Sequence, residues 1–376
     1  MLKTKYPFLI MALVIISVFI IPGCKKDADV IKLAVVAPLT GNQAEMGQDL
    51  VNGEKLASEE INAHGGILGK KLELIIMDDQ ADPTEAVTIA NKLVVNKDVV
   101  GIVGHLNSGT TLPASAVYYK SGMPVVMPVP TNPKITQQGF NNLFRIPATD
   151  ADQGPQAARF AFETLHKNKF VIIHDKTAYG QGIADEFKRE AEKLGVKILL
   201  YDAITEGQTD FSAILTRIKS LNPEVFYFGG MYPEGGLLIK QARAVGINAI
   251  FMVGDGCYDP EFIKIGEKAT EGSIISFLAP PWEEEQSTAE FAKNYESKYG
   301  KIKNYAPFGY DGVYIFAKAI KATGKADRKT IIDELRKPDF YLDGVVGKIE
   351  FKENGDNKNA NLYFYQVKNG KFELFK

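Results

Sequence analysis

Ile31-Lys32-Leu33-Ala34-Val35-Val36-Ala37, then Met46 to Ala63, then Leu72-Glu73-Leu74-Ile75-Ile76-Met77: these three runs decide the fold. The first is a short, β-branched and almost unbroken apolar run, which reads as a strand buried on both faces. The second carries its apolar residues three and four apart, so they share one face of a helix, and Gly65-Gly66 end it. The third reads as a strand again. Strand, helix and strand of these lengths make a crossover unit, because the helix returns the chain to where the first strand began and the two strands then lie parallel.

The same rhythm extends outward. Pro83 sits where a helix begins, with Ala86 to Val95 following, and Val99 to Val103 and Val125 to Met127 are strands flanking a helix that starts near Gly109. Beyond Thr149 it repeats. Asp152 to Leu165, Ile183 to Leu194, Phe211 to Ser220 and Gly236 to Val245 read as helices. Phe170 to His174, Lys197 to Tyr201, Val225 to Phe228 and Ile250 to Val253 read as the strands between them. Alternation of this kind predicts parallel sheets with helices on both faces, and two such runs predict an α/β protein of two doubly wound parallel-sheet lobes joined by short hinge crossovers. Near the end Phe291 to Tyr299 and Asp311 to Ala322 read as helices. Val345 to Phe351 and Asn361 to Val367 read as an antiparallel hairpin turning at Asn354-Gly355-Asp356.

The beginning of the chain reads differently. Lys3 and Lys5 precede an uncharged apolar run from Pro7 to Ile21, and the chain turns polar straight after Cys24. Positive, apolar, then small residues is the layout of a secretory signal, and the run is shorter than the ~20 residues a membrane-crossing helix needs. Ile21-Pro22-Gly23-Cys24 resembles a bacterial lipobox, which implies a signal over 1–23, cleavage before Cys24, and acylation of the cysteine. Residues 24–30 are then a lipidated linker. More than one acyl chain makes a durable anchor. The chain after Cys24 is expected outside the cytoplasm, at the outer face of the cytoplasmic membrane or in the periplasm. With Cys24 lipidated, Cys257 is the only thiol left of two, so no internal disulfide is expected.

With 45% hydrophobic and 24% charged residues the composition is that of a globular domain. The 44 basic and 46 acidic side chains nearly cancel, and no basic stripe interleaved with aromatics is present, so nucleic acid is not an expected partner.

Ligands of open parallel sheets sit beyond the carboxyl ends of the strands, and there the catalytic patterns are missing. Gly101 and Gly104 are wrongly spaced for a dinucleotide turn, and Tyr179-Gly180-Gln181-Gly182 is a plain strand-to-helix turn. The four histidines (His64, His105, His166, His174) have no metal-ligand spacing. A hydrolase triad built from His105, Ser108, His174 and Asp175 would need a geometry that proximity in sequence does not supply. No catalytic residue, metal or cofactor is expected. What does follow the strands is suited to holding a ligand. Ser108 opens a hydroxyl-rich helix whose free N–H groups favour a carboxylate. In Val129-Pro130-Thr131-Asn132-Pro133 the prolines leave the Val129 carbonyl and the Thr131 N–H available, and Asp255 stands between Gly254 and Gly256. Donors on one side and an acid on the other suit a zwitterion. The same residues also suit plain helix caps and a turn, and from the residues alone both readings stand.

Over nearly its whole length after Cys24 the sequence resembles the type I periplasmic binding proteins of branched-chain amino acid ABC transporters, the leucine/isoleucine/valine-binding family. The match runs through Ile31 to Val36 with Gly41 and Gly47, Ile61-Asn62-Ala63-His64-Gly65-Gly66-Ile67, Asp78-Asp79 with Asp82-Pro83, and Gly104-His105-Leu106. It continues through Asp152-Gln153-Gly154-Pro155, His174-Asp175-Lys176 with Tyr179-Gly180, Gly229-Gly230 with Pro233-Glu234, and Gln241-Ala242-Arg243. The resemblance implies a first lobe of residues 31–149 with 278–358 and a second of 150–277 with 359–376. It implies a monomer that hands a small amino acid to an ABC permease. Ser108 and Thr131 are then the carboxylate clamp, and Asp255, the Val129 carbonyl and Thr131 the ammonium acceptors. Tyr179 covers the ligand, Tyr305 and Leu106 wall its side chain, and Asn107, Pro130 and Gly256 complete the pocket. Met46 and Met231 stand where the leucine-binding members carry pocket tyrosines, and Ala81 and Asn107 stand where they carry a disulfide. A ligand-sensing receptor module and an amide- or urea-binding protein share this fold and remain the alternatives.

Overall fold

The opening run forms strand β1 (Val30–Ala37), and its alternation explains why it is apolar at every position but Lys32. Leu33 and Val35 enter one core cluster and Ala34 and Val36 enter another, so both faces of the strand are covered. Helix α1 (Ala44–Ala63), β2 (Lys71–Asp78), α2 (Pro83–Val95), β3 (Val99–Gly104), α3 (Ser108–Lys120), β4 (Val125–Met127), α4 (Lys134–Gln137) and β5 (Leu143–Arg145) follow. The five strands form one parallel sheet in the order β2-β1-β3-β4-β5. This computed structural model describes residues 1–2, 30–282 and 288–376. The expected signal, apart from residues 1–2, and the expected lipidation site Cys24 therefore fall outside the described residues.

Helix α5 (Asp150–Arg159), capped by the reciprocal Thr149 and Asp152 bonds, begins a second round. It continues through β6 (Lys169–His174), α6 (Ala178–Lys193), β7 (Lys197–Ala203), α7 (Ser212–Leu221), β8 (Val225–Gly229), α8 (Tyr232–Ala244), β9 (Ile250–Val253), α9 (Pro260–Gly266) and β10 (Ile274–Phe277). Then come α10 (Ala289–Tyr299), α11 (Ala306–Thr323), α12 (Arg328–Leu335), β11 (Tyr341–Gly344), β12 (Gly347–Glu350), β13 (Tyr363–Lys368) and β14 (Lys371–Leu374). The second sheet runs β14-β13-β10-β9-β8-β6-β7, parallel from β10 to β7, with β13 and β14 added antiparallel at its edge. Helix α11 packs closely on α1 of the first sheet: a Cβ on Gly53 would lie 1.9 Å from the Ala306 carbonyl oxygen, so only glycine allows the approach. Two α/β layers of parallel strands with helices on both faces are therefore present. Among the described residues no helix is long and apolar enough to cross a membrane.

The hairpin expected between 345–351 and 361–367 does not form. Strand β12 pairs with β11 instead, and β13 pairs with β10 and β14 in the second sheet. The Asn354-Gly355-Asp356 turn has another use. Arg145 N donates to the Gly355 carbonyl at 2.8 Å, and the buried Arg145 guanidinium pairs with Asp356 at 2.8 Å, which fastens the turn to β5.

Two buried acids make stability depend on pH. Burial pushes the Asp175 and Asp311 carboxyls up to about 7, although each accepts two bonds, from Thr177 and from the Val345 and Val346 N–H groups respectively. An acid raised in the folded state contributes stability that is full below the unfolded value of about 4 and is lost as pH climbs through the folded value. Asp175→Asn is therefore expected to gain on the parent protein between pH 4.5 and 7.5, by at most roughly 4 kcal/mol. Urea unfolding at both pH values reads the difference, and an identical difference at both would contradict it.

Candidate functional site

The first sheet ends in two loops that face the second. After β3 the chain passes Leu106 and Asn107, whose extended backbone starts α3, while the Thr110 and Thr111 hydroxyls fold back onto the Asn107 carbonyl at 3.0 and 2.7 Å. The N–H groups of the first turn have no acceptor inside the helix and carry its positive end. Ser108 is buried there, and its Oγ accepts from Asn132 N at 3.3 Å, which leaves the hydroxyl proton to donate. After β4 comes the run Val129 to Pro133. The fully buried Arg145 donates to the Pro130 carbonyl at 2.6 Å and the Asn132 carbonyl at 2.9 Å, and Asp150 N donates to the Thr131 carbonyl at 2.9 Å. These bonds take the carbonyls of Pro130, Thr131 and Asn132, and among the described residues none is made to that of Val129.

From the other side, Asp255 follows β9 directly and is buried. Its Oδ1 accepts from Tyr179 Oη and Gln153 Nε2, each at 2.9 Å, and its Oδ2 accepts from Tyr305 Oη at 2.9 Å. Gln153 is itself fixed, since its Oε1 accepts from Asp255 N at 3.2 Å and Ser276 Oγ at 3.0 Å. Tyr179 Oη accepts from Gly256 N at 2.9 Å. Tyr305 is placed by Asp49 on α1, whose Oδ2 takes the N–H groups of Asn304, Tyr305 and Ala306 at 3.1, 2.9 and 2.9 Å. Burial pushes the Asp255 carboxyl above its usual range, and the bonds from Gln153, Tyr305 and Tyr179 pull it part of the way back. A carboxylate has about four acceptor sites. The three donors keep it ionisable and leave room for a cation.

Between the loops lies a small cavity. Leu106, Asn107, Ser108, Val129, Pro130 and Thr131 line it from the first sheet, Tyr179, Met231, Asp255 and Gly256 from the second, with Tyr305 beside them. Those eleven expected residues are brought together. Met46 is not: it is fully buried in the apolar core and does not border the cavity, since an unbranched apolar chain early in α1 packs with the core cluster. A Cβ on Gly256 would lie 2.8 Å from the Tyr179 ring and 2.9 Å from Met231 Sδ, so the glycine makes the close fit of the wall possible.

The other chemistry entertained from sequence is spoken for. His105 places Nδ1 2.7 Å from Asp79 Oδ2 and Nε2 3.1 Å from Tyr118 Oη, so neither ring nitrogen serves Ser108. Cys257 is buried, and burial pushes its thiol well up, away from the thiolate. Gly180 packs against Asp175 and the Gly229 carbonyl, at 2.2 and 2.5 Å from a notional Cβ, so the Tyr179-Gly180-Gln181-Gly182 turn is a packing device. Among the described residues no three His, Cys, Asp or Glu side chains are grouped to hold a metal ion.

Three residues essential to this geometry, Gln153, Arg145 and Asp49, were not expected. Each acts on residues far away in sequence. Only a buried arginine between Phe144 and Ile146, and a glutamine in the matched Asp152 to Pro155 stretch, hinted at them.

Comparison with known proteins places the family and the fold. A family model described as periplasmic binding protein matches residues 30–371. The Leu/Ile/Val-binding protein homolog 1 of Brucella abortus is 36% identical over 343 residues, which is 91% of each chain. A leucine-binding protein LivK from Thermotoga maritima superposes with a TM-score of 0.86 at 31% identity, over 92% of this chain and 98% of the other. The branched-chain amino acid transporter substrate-binding protein LivJ from Streptococcus pneumoniae, solved with isoleucine, gives 0.85 at 29% identity over the same shares.

Proposed function

The chain belongs to the periplasmic binding protein family, and on that premise we propose that it is a solute-binding protein of an ABC importer for branched-chain or other small neutral amino acids. The observation that carries this reading is the polarity of the cavity: the Ser108 and Thr131 side chains at the start of α3 and on the loop after β4 on one wall, the Asp255 carboxylate on the other. An α-amino acid presents the matching charges. Its carboxylate would lie on Ser108 and Thr131 at the positive end of α3, and its ammonium on Asp255, the Val129 carbonyl and the Thr131 hydroxyl. An amide or urea ligand offers no cation, and Asp255 would then be a buried acid without use.

The mechanism follows from which wall each group stands on. Lobes of residues 31–149 with 278–358 and 150–277 with 359–376 close at their crossovers. The ligand first meets Ser108 and Thr131, and closure then brings Asp255 with Tyr179 over it. Closure excludes water and strengthens the charge-assisted bonds. Apolar contacts from Leu106, Met231 and Tyr305 choose among side chains, which separates aliphatics by only about 1–3 kcal/mol per methylene. No step is catalytic. The protein works as a monomer outside the cytoplasm, held by lipid on Cys24, and delivers its ligand to a membrane permease.

A thermal-shift screen against the common amino acids and small amides tests the ligand class, because a bound ligand raises the melting point by mass action. A shift with small amides and none with amino acids would contradict it. Met231→Tyr fills part of the cavity and is expected to move preference toward smaller aliphatics, valine gaining on leucine by roughly 10-fold. An unchanged ranking in titration calorimetry would place Met231 outside the selective wall.

A further inference from the structure

Thr131 lines the cavity, and a second acid that does not border it, Asp150, lies against Thr131. Asp150 opens α5 and is inaccessible to solvent. Its N–H donates to the Thr131 carbonyl at 2.9 Å, which sets the two residues side by side. Among the described residues neither of its carboxyl oxygens takes a hydrogen bond. Burial pushes this carboxyl well above the usual range, and the nearby Thr131 hydroxyl draws it part of the way back. Its other neighbours give little help. Asp255, following β9, opposes its charge, and so does Glu186 of α6. Arg145 of β5 favours the charge, but that guanidinium is spent on Asp356 and on the Pro130 and Asn132 carbonyls. Tyr227 of β8, which feels the charge of both acids, has a buried hydroxyl without a partner of its own. Gly182 of α6 closes the space: a Cβ there would lie 3.0 Å from Asp150 Oδ2.

Two neighbouring buried acids do not both keep a charge when the nearby cation is engaged elsewhere. Asp255 accepts three bonds and Asp150 none. The charge therefore falls to Asp255 and a proton to Asp150. A hydroxyl has one proton and two lone pairs. To accept from an ammonium, Thr131 must send its own proton elsewhere, and the Asp150 carboxyl beside it is the acceptor. An ionised carboxylate only accepts, whereas a protonated one carries a donor that competes for the same Thr131 lone pairs. Resting on the function proposed above, we infer that Asp150 is a positioning residue that exchanges its proton for the ligand's ammonium. On binding, the proton leaves to solvent, the Asp150 carboxylate accepts the Thr131 hydroxyl, and Thr131 turns its lone pairs to the ammonium. One cation replaces another beside the two acids, and each amino acid captured releases a proton.

Calorimetric titration with leucine near neutral pH, in phosphate and in Tris, counts the protons, because the two buffers differ in ionisation enthalpy. The unaltered protein is expected to release roughly one proton for each leucine bound. Asp150→Asn keeps the size of the side chain and an oxygen for the Thr131 hydroxyl, but it has no proton to give, so the count is expected to fall to about zero. Thr131→Val removes the link between Asp150 and the ammonium and is expected to lower the count as well, which keeps the test open if Asp150→Asn does not fold. A purely structural role for Asp150 would weaken binding and leave the count alone. A count near zero in an unaltered protein that binds leucine overturns the inference and leaves the proposed function in place. So does a count that neither variant lowers. Failure of every free amino acid to bind, with small amides binding instead, removes the proposed function and this inference with it.

Discussion

Asp255→Ala is expected to weaken binding of a free amino acid by at least a hundredfold. The carboxylate is buried, and no other acid lines the cavity. Removing one member of a buried ion pair leaves the other charge unpaired and costs about 3–5 kcal/mol, which is a factor of more than a hundred in Kd. The same change strands the Tyr179, Tyr305 and Gln153 donors that now end on Asp255, so some of the loss could be scaffold rather than charge. Asp255→Asn separates the two. It keeps an oxygen for Tyr179 and Gln153 and an amide to which Tyr305 can turn its lone pairs, but it removes the charge. Binding by Asp255→Asn should therefore stay weak while its melting point stays near that of the parent. Acid should act as a milder form of the same change. The Asp255 carboxyl is held above its usual range by burial, so lowering the pH through that raised value protonates it in the empty protein and weakens binding, and Asp255→Asn should flatten this fall. Calorimetric titrations of the three proteins across pH 4 to 8 check each point, and unchanged affinity in Asp255→Ala would remove the residue from the site.

Arg145→Met is expected to have the second largest effect, on stability first and on binding through it. The guanidinium is inaccessible to solvent, pairs with Asp356, and holds the Pro130 and Asn132 carbonyls on either side of Thr131. Removing it takes the positive charge from the nearly buried Asp356, which keeps only the Thr136 and Asn354 donors, and takes the donor from the Pro130 carbonyl, a destabilisation of about 3–5 kcal/mol. Lysine does not rescue it, because a point charge cannot reach diverging acceptors as the planar fork does. Urea unfolding reads the loss of stability, and titration under conditions where the variant is still folded reads a loss of affinity as the Thr131 loop relaxes. Stability within 1 kcal/mol of the parent would contradict the role given to Arg145.

Much of this was legible in the sequence, for a physical reason. Strands buried on both faces must be apolar along their length, and helices between them must be apolar on one side only. Val125–Met127 and Ile250–Val253 could thus be placed to the residue. Helix starts were harder. Helices α6 and α8 begin at Ala178 and Tyr232, several residues before their apolar periodicity does, because their first turns, with Tyr179 among them, face the cleft rather than the core. Strand β10 was passed over, although it holds β9 on one side and β13 on the other. The misread hairpin shows the general limit: Gly355 and Asp356 do mark a turn, but its partner is Arg145, about two hundred residues away. At the site, Ser108, Val129, Thr131 and Asp255 follow strands and could be named for that reason, whereas Tyr305 stands between two helices and was named from the resemblance alone. Gln153, Arg145 and Asp49 hold those groups from other elements, and local pattern carries no trace of such distances. Met46 lay outside the cavity because its apolar side chain packs into the core cluster beneath α1.

Every part of this account requires that the guest carry both charges. The most direct measurement is calorimetric titration of the protein with leucine, isoleucine and valine, beside the N-acetyl and methyl-ester forms of whichever binds best. One site per chain filled by the free amino acid, with both capped forms giving no detectable binding, is the predicted result. A capped form that binds as tightly as the free amino acid would contradict it, because the wall at Ser108 and Thr131 or the wall at Asp255 would then be recognising nothing.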